Sequence, residues 1–317
     1  MRGRVLLAAP RSFCAGVDRA IEIVERLLEQ HGPPIYVRHH IVHNDHVVRR
    51  LEGLGAVFVD DEEEVPRDAI CVLSAHGVAP AVLENCERRG LRVVDAVCPL
   101  VSKVHAEARR YADSAHLVAL VGHRDHVEVI GTKGERPDQI VVVESPEEAM
   151  ELDTNGKPLA VISQTTLSLD DVASTVDVLA GRFGDLRRPG ADDICYATQN
   201  RQQAVKEIAP GADLVLVVGS GNSSNSVRLV EVALENGATA AHLVDDASEI
   251  DEAWFDGVET VGVTSGASVP EDLVDGVLDL LAQRGYPAAT PIHTAEESLI
   301  FALPPELRKD LRAAGRA

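Results

Sequence analysis

Short runs of β-branched and aliphatic residues recur along this chain, many of them separated by helix-forming segments, and that alternation restricts the fold more than any other feature. The runs span residues 5–9, 35–37, 70–73, 93–94, 117–121, 140–143, 160–162, 214–218 and 260–263, with 242–244 an ambiguous further one. Strands alternating with helices predict an α/β protein with mostly parallel sheets, because a crossover helix returns the chain to the same end of the sheet. At 317 residues the chain exceeds the roughly 250 to 300 at which one core stops growing, so two or three cores are expected. No long linker or low-complexity segment interrupts the series.

The stretch after Cys14 predicts one such helix. Ile21, Val24 and Leu28 recur at helical spacing, Glu22 stands four residues before Arg26, and Gly32-Pro33 supplies the stop.

The chain carries 30 basic and 51 acidic residues, a net charge of -21. Such a molecule repels nucleic acid and anionic lipid surfaces, so neither is an expected partner. An anionic substrate would have to be held by a local cluster of donors. The apolar run at 5–9 is ended by Pro10-Arg11 and is too short for a signal peptide, and no stretch approaches the roughly 20 apolar residues of a membrane helix. A soluble, cytoplasmic protein is expected, where structural disulfides are rare.

Five cysteines, an odd number, fit that setting. Cys71 lies inside a strand run and Cys86 in a helical stretch, and both read as small core residues. Cys14, Cys98 and Cys195 differ: each is expected at a junction leading into a helix, where unpaired backbone N–H groups favour a thiolate. Without a C-x-x-C pair, spacing alone leaves core packing and metal binding both open for these three. Three converging thiolates would leave one iron of a cubane cluster open as a Lewis acid, and zinc on three cysteines is the competing metal reading. Their intervals of 84 and 97 residues suggest three similar α/β modules, at 1–97, 98–194 and 195–282, with 283–317 packing back on the first.

Compact polar loops follow several apolar runs: Ser74-Ala75-His76-Gly77, Gly122-His123, Ser163-Gln164-Thr165-Thr166, Gly219 to Asn225, and Thr264-Ser265-Gly266-Ala267-Ser268. His43, after Val42, fits the same set. Ligands of open α/β sheets bind at the carboxyl ends of strands, and small donors there suit phosphate oxygens. Each loop has a plain reading as a turn or cap, and Ser168 with Asp171 is read as a cap only. The Gly219 loop, with Asp245 further on, partly matches a dinucleotide fingerprint but has Ser224 where the third glycine belongs. Glu128, in His126-Val127-Glu128, could supply a proton inside a pocket.

These residues carry a resemblance to a known family. Phe13-Cys14-Ala15-Gly16-Val17-Asp18-Arg19-Ala20, Tyr36-Val37-Arg38-His39, Ser74-Ala75-His76-Gly77-Val78, Cys98-Pro99-Leu100-Val101, Gln164-Thr165-Thr166-Leu167-Ser168, Asp192 to Thr198 and Asn222-Ser223-Ser224-Asn225-Ser226 together resemble the 4-hydroxy-3-methylbut-2-enyl diphosphate reductases, the IspH/LytB family. The likeness covers nearly the whole chain. It implies three α/β modules around a [4Fe-4S] cluster on Cys14, Cys98 and Cys195. It further implies that His43, His76, His126, Ser223, Ser224, Asn225 and Ser268 bind the diphosphate, that Thr165 lies near the substrate hydroxyl and that Glu128 is the proton source. Two departures stand out: Val97 where the family has Thr, and Val127 where it has Pro.

The activity so implied is reductive dehydroxylation to isopentenyl and dimethylallyl diphosphate, the last step of non-mevalonate isoprenoid biosynthesis, with ferredoxin or flavodoxin as electron donor. A hydro-lyase using an open iron without net electron transfer, and a redox sensor without turnover, are the rival readings.

Overall fold

A computed structural model describes residues 3–286 and 289–313. Twelve strands are present among them: β1 (Arg4–Ala9), β2 (Ile35–Arg38), β3 (Ala56–Val59), β4 (Ile70–Leu73), β5 (Arg92–Asp95), β6 (Leu117–Val121), β7 (Ile140–Val143), β8 (Leu159–Ser163), β9 (Leu214–Val218), β10 (Ala240–Val244), β11 (Thr260–Ser265) and β12 (Ala289–His293). The helices between and after them are α1 (Ala15–His31), α2 (Asp45–Leu54), α3 (Pro80–Arg88), α4 (Pro99–Asp113), α5 (Val127–Lys133), α6 (Pro146–Glu151), α7 (Leu169–Arg182), α8 (Tyr196–Ile208), α9 (Ser224–Glu235), α10 (Glu271–Gln283) and α11 (Pro305–Ala313).

The strands form three sheets, ordered β10-β9-β11-β1-β12, β3-β2-β4-β5 and β7-β6-β8, and every pairing is parallel. The expected α/β class with three parallel modules is what the chain adopts. Strand membership does not follow chain order, for β1 lies between β11 and β12. The ambiguous run at 242–244 is strand β10, and β3 and β12 are strands that the apolar runs did not include. Both of the latter are edge strands, and β12 contains Pro291, whose missing N–H is tolerated only at an edge or a bulge.

The chain divides into two compact units. One comprises the chain up to Cys14, His43–Val47 and Tyr196–Leu299, and contains the five-stranded sheet. Alternation along β9 puts Leu214, Leu216 and Val218 into a core with Val274, Val277 and Leu281 of α10. Val215 and Val217 face the other way, against Val205 of α8 and Leu229 and Val232 of α9. Each fully buried aliphatic side chain contributes about 2 kcal/mol relative to exposure, so a sheet covered on both faces is favoured over one left bare on either.

The other unit comprises Ala15–Val42, Val48–Cys195 and the segment from Ile300, and contains the two smaller sheets. Leu117, Ala119 and Val121 of β6 pack with Val176 and Leu179 of α7, while Val118 and Leu120 pack with Val104 and Ala108 of α4. In α1 the buried face is Ala20, Ile21, Ile23, Val24 and Leu27. This face is wider than the three-residue stripe read from the sequence, and Leu28 is half-buried rather than central. Gly32 ends that helix with φ +70° and its N–H on Leu28 O, as the stop signal requires. Cys71 and Cys86 are buried in a core with Leu73 and Leu91, and burial pushes the Cys71 thiol up to about 12. Among the described residues no helix is long and apolar enough to cross a membrane.

Candidate functional site

Each of Cys14, Cys98 and Cys195 stands immediately before a helix: α1, α4 and α8 respectively. Cys98 is itself the N-cap of α4, with Pro99 at the first helical position. All three are half-buried and none is disulfide-bonded, whereas Cys71 and Cys86 are fully buried. Their backbones are pinned alike. The N–H of Cys14 donates to Ala267 O at 3.2 Å, that of Cys98 to Ala75 O at 2.9 Å and that of Cys195 to Thr165 O at 3.0 Å. Each acceptor lies two residues beyond the end of a strand, β11, β4 and β8 in turn.

Half-buried thiols at helix N-termini are favoured as thiolates, the donor an iron-sulfur cluster takes, so the chemistry of this donor set fits such a group. Among the described residues no group of three or more His, Cys, Asp or Glu side chains is arranged for a single metal ion. A four-iron cluster instead takes one thiolate on each ligated iron.

In the unit that holds Cys98 and Cys195, α5 carries Glu128 in its first turn. His126 caps that helix, its Nδ1 accepting from Glu128 N at 3.2 Å. Glu128 is 2% exposed. Its Oε1 accepts from Thr165 N at 2.7 Å and its Oε2 from Thr165 Oγ1 at 2.9 Å. Burial pushes its carboxyl up to about 7, a rise that the two Thr165 bonds and nearby His105 only partly oppose. His76 lies edge-on to His126, ring centroids 6.1 Å apart, and its Nδ1 is 3.3 Å from Ser74 Oγ. Val127 occupies the first position of α5, where a proline would also fit, and the helix forms without one. Val97 N–H donates to Asp95 Oδ1 at 2.8 Å.

In the unit that holds Cys14, the carboxyl ends of adjacent strands β9 and β11 present the other candidates. Ser223 is the N-cap of α9, accepting from Ser226 N, and Ser224 and Asn225 open that helix. Ser268 Oγ donates to His43 O at 2.8 Å, and Asp45 N donates to Ser220 Oγ at 3.4 Å, so the 43–45 segment is tied to both loops. Asn225 is 5% exposed, yet neither amide atom of its side chain has a hydrogen-bond partner among the described residues. A buried amide in that condition needs a partner from outside the protein to offset its desolvation. Gly219 and Gly266 are glycines for space: a Cβ on either would lie 2.3 or 2.1 Å from Ser226 Oγ. Packing against Ser226 thus explains Gly219, the residue that begins the partial dinucleotide pattern.

Several residues brace the site in ways that the motifs holding Gln164 and Asp193 do not indicate. Gln164, 1% exposed, accepts from His123 N at 3.0 Å and donates to Thr166 Oγ1 at 2.7 Å, fixing the loop that carries Thr165. Asp193 Oδ2 accepts from Ser163 N at 3.0 Å and so ties the Cys195 segment to the end of β8. The His105–Glu135 pair, Nδ1 to Oε1 at 2.7 Å, joins α4 to the turn that follows α5 and has no local sequence signal.

Comparisons with known proteins identify the family and the fold. The LytB protein family matches residues 5–282. A protein of Acidothermus cellulolyticus named 4-hydroxy-3-methylbut-2-enyl diphosphate reductase is 60% identical over 313 residues, covering 98% of this chain and 92% of its own. One of the same name from Mycolicibacterium vanbaalenii is 62% identical over 307 residues, covering 96% and 91%. Among solved structures, the E-1-hydroxy-2-methyl-but-2-enyl-4-diphosphate reductase of Plasmodium falciparum is similar with a TM-score of 0.96 at 36% identity, covering 99% of this chain and all of that one. A second, described as the terminal enzyme of the non-mevalonate pathway, has a TM-score of 0.64 at 30% identity over 89% of this chain and 99% of its own. With the family matched across both units and such relatives spanning nearly its full length, this chain belongs to the LytB protein family.

Proposed function

We propose that this chain is an oxidoreductase that converts 4-hydroxy-3-methylbut-2-enyl diphosphate to isopentenyl and dimethylallyl diphosphate. The observation that carries the reading is the buried Glu128 carboxyl, held up to about 7 and bonded twice to Thr165, in a chain about 60% identical to proteins named for this reaction. The balanced step consumes the alcohol, two electrons and two protons, and releases the alkene diphosphate and water. Hydroxide is a poor leaving group, so the departing oxygen must be protonated.

In this reading Glu128 and Thr165 deliver that proton. When Glu128 carries a proton, one of its oxygens becomes a donor. Thr165 Oγ1, 2.9 Å from Oε2, can take that proton while passing its own to the substrate hydroxyl. His126 orients the start of α5 and, with His76, His43, Ser223, Ser224, Asn225 and Ser268, binds the diphosphate. Cys14, Cys98 and Cys195 would hold a [4Fe-4S] cluster, which when bound supplies the electrons and a Lewis-acidic iron. A cytoplasmic ferredoxin or flavodoxin is the electron donor in this reading.

An anaerobic assay with a chemical reductant tests it: two electrons are consumed per substrate, against none for a hydro-lyase and no product for a sensor. Full cluster content and full activity in Cys14→Ser, Cys98→Ser and Cys195→Ser variants would contradict the ligand assignment, which Mössbauer spectroscopy of anaerobically purified protein tests directly.

A further inference from the structure

Three basic side chains outside the proposed chemistry stand in one repeated relation to the cysteines. Arg19, Lys103 and Arg201 lie five, five and six residues after Cys14, Cys98 and Cys195, each on the helix that its cysteine precedes. Each reaches the backbone just ahead of a different cysteine. Arg19 Nη1 donates to Val97 O at 2.9 Å, one residue before Cys98. Lys103 Nζ donates to Ala191 O and Asp192 O, both at 3.0 Å, and lies 3.3 Å from Asp193 Oδ1, all just before Cys195. Arg201 Nη2 donates to Ser12 O at 2.5 Å and to Arg11 O at 3.3 Å, just before Cys14. The order closes on itself: the helix after the first cysteine holds the second loop, the helix after the second holds the third, and the helix after the third holds the first.

The Arg201 link shows what such a contact costs. Its side chain is fully buried, with Glu297 Oε1 and Ala197 O both 3.0 Å from Nη1. A cation taken wholly out of water persists only when its charge and donors are met. Here Glu297 meets the charge and Nη2 is directed at the carbonyls of a loop in which Ser12 has φ +59°, a conformation that a serine adopts at a cost and that neighbours must hold.

We propose that Arg19, Lys103 and Arg201 are positioning residues for Cys98, Cys195 and Cys14, fixing the three ligand loops and setting positive charge beside the thiolates of a strongly acidic chain. This rests on the reading of those cysteines as cluster ligands. Partners one shell out from a metal commonly govern how long it is retained, and nearby charge governs its potential.

The test uses anaerobically prepared holoprotein of Lys103→Met, Lys103→Arg and the double variant Arg201→Met with Glu297→Leu. Lys103 is partly exposed, so its loss spares the fold, and the double variant removes both members of the buried pair, which avoids an unpaired charge. Iron released to a chelator is expected about tenfold faster in Lys103→Met and in the double variant. The cluster midpoint potential of Lys103→Met is expected to move to a more negative value, at unchanged thermal midpoint of its metal-free chain, with Lys103→Arg restoring the parent behaviour. Parental release rates in both variants and a parental potential in Lys103→Met, while Cys14→Ser and Cys195→Ser lose iron, would overturn the positioning role alone. Full iron retention in the two serine variants would overturn the ligand reading, and the proposal with it.

Discussion

Glu128 and Thr165, both buried, are joined twice, carboxylate oxygen to amide at 2.7 Å and carboxylate oxygen to hydroxyl at 2.9 Å. With its carboxyl at about 7 against an ordinary 4.5, the folded chain binds this proton more tightly than the unfolded chain does. The stabilisation from that proton is complete below about 4.5 and is lost as pH rises through about 7. Glu128→Gln is expected to remove roughly 3 kcal/mol of pH-dependent stability across that window, read by denaturant titration at several pH values. Turnover of the same variant is expected to fall about a hundredfold or more.

The hydroxyl half of the pair can be separated from the amide half. Thr165→Val deletes the Oγ1 donor and leaves the backbone bond, and because that donor favours the charged carboxylate, its loss raises the Glu128 carboxyl further. The alkaline limb of the pH–rate profile is expected to move upward in Thr165→Val and to stay in place in Thr165→Ser, with kcat reduced only in the valine variant.

Asn225 makes no side-chain hydrogen bond among the described residues, so the fold loses little without it. Asn225→Ala is expected to leave the thermal midpoint nearly unchanged while raising KM for the diphosphate substrate about tenfold, the cost of one lost polar contact of about 1.4 kcal/mol. Asn225→Asp, which sets a negative charge against the diphosphate, is expected to bind more weakly still.

Val127 sits at the first position of α5, preceded by His126 at φ -74°, ψ 134°, which is the extended conformation a residue before proline adopts. Val127→Pro is therefore expected to stabilise the chain by about 0.5 kcal/mol through the unfolded state, with activity retained. Loss of activity would show that the valine sets the direction of Glu128.

What the sequence made legible was local. Cys14, Cys98 and Cys195 could be placed before helices because a strand run, a break and an amphipathic stretch follow one another within a few residues, and Ser168 could be read as a cap because its partner Asp171 N is three residues away. The bracing contacts were out of reach for the opposite reason. Arg19 meets Val97 across 78 residues and Arg201 meets Ser12 across 189, and nothing in either helix announces a carbonyl as its target. Edge strands were missed on the same ground: β12 reads as Ala-Thr-Pro-Ile-His and becomes a strand only because β1 offers it a partner. The family likeness named candidate residues that periodicity could not, Asn225 among them, whose unmet amide emerges only from burial.

The place of β1 between β11 and β12 bears on how the chain is made. Of the described strands this one leaves a ribosome first, yet the segments that flank it begin at Thr260 and Ala289. At ordinary rates of synthesis its partners follow on the order of tens of seconds later. For that interval Val5, Leu7, Ala8 and Ala9, all buried at the end, have no sheet to enter, and the earliest of the described strands waits for its neighbours. Truncation before β12 would therefore leave β1 uncovered along one edge, and nascent chains of this protein are expected to need a holding chaperone until residue 293 has emerged.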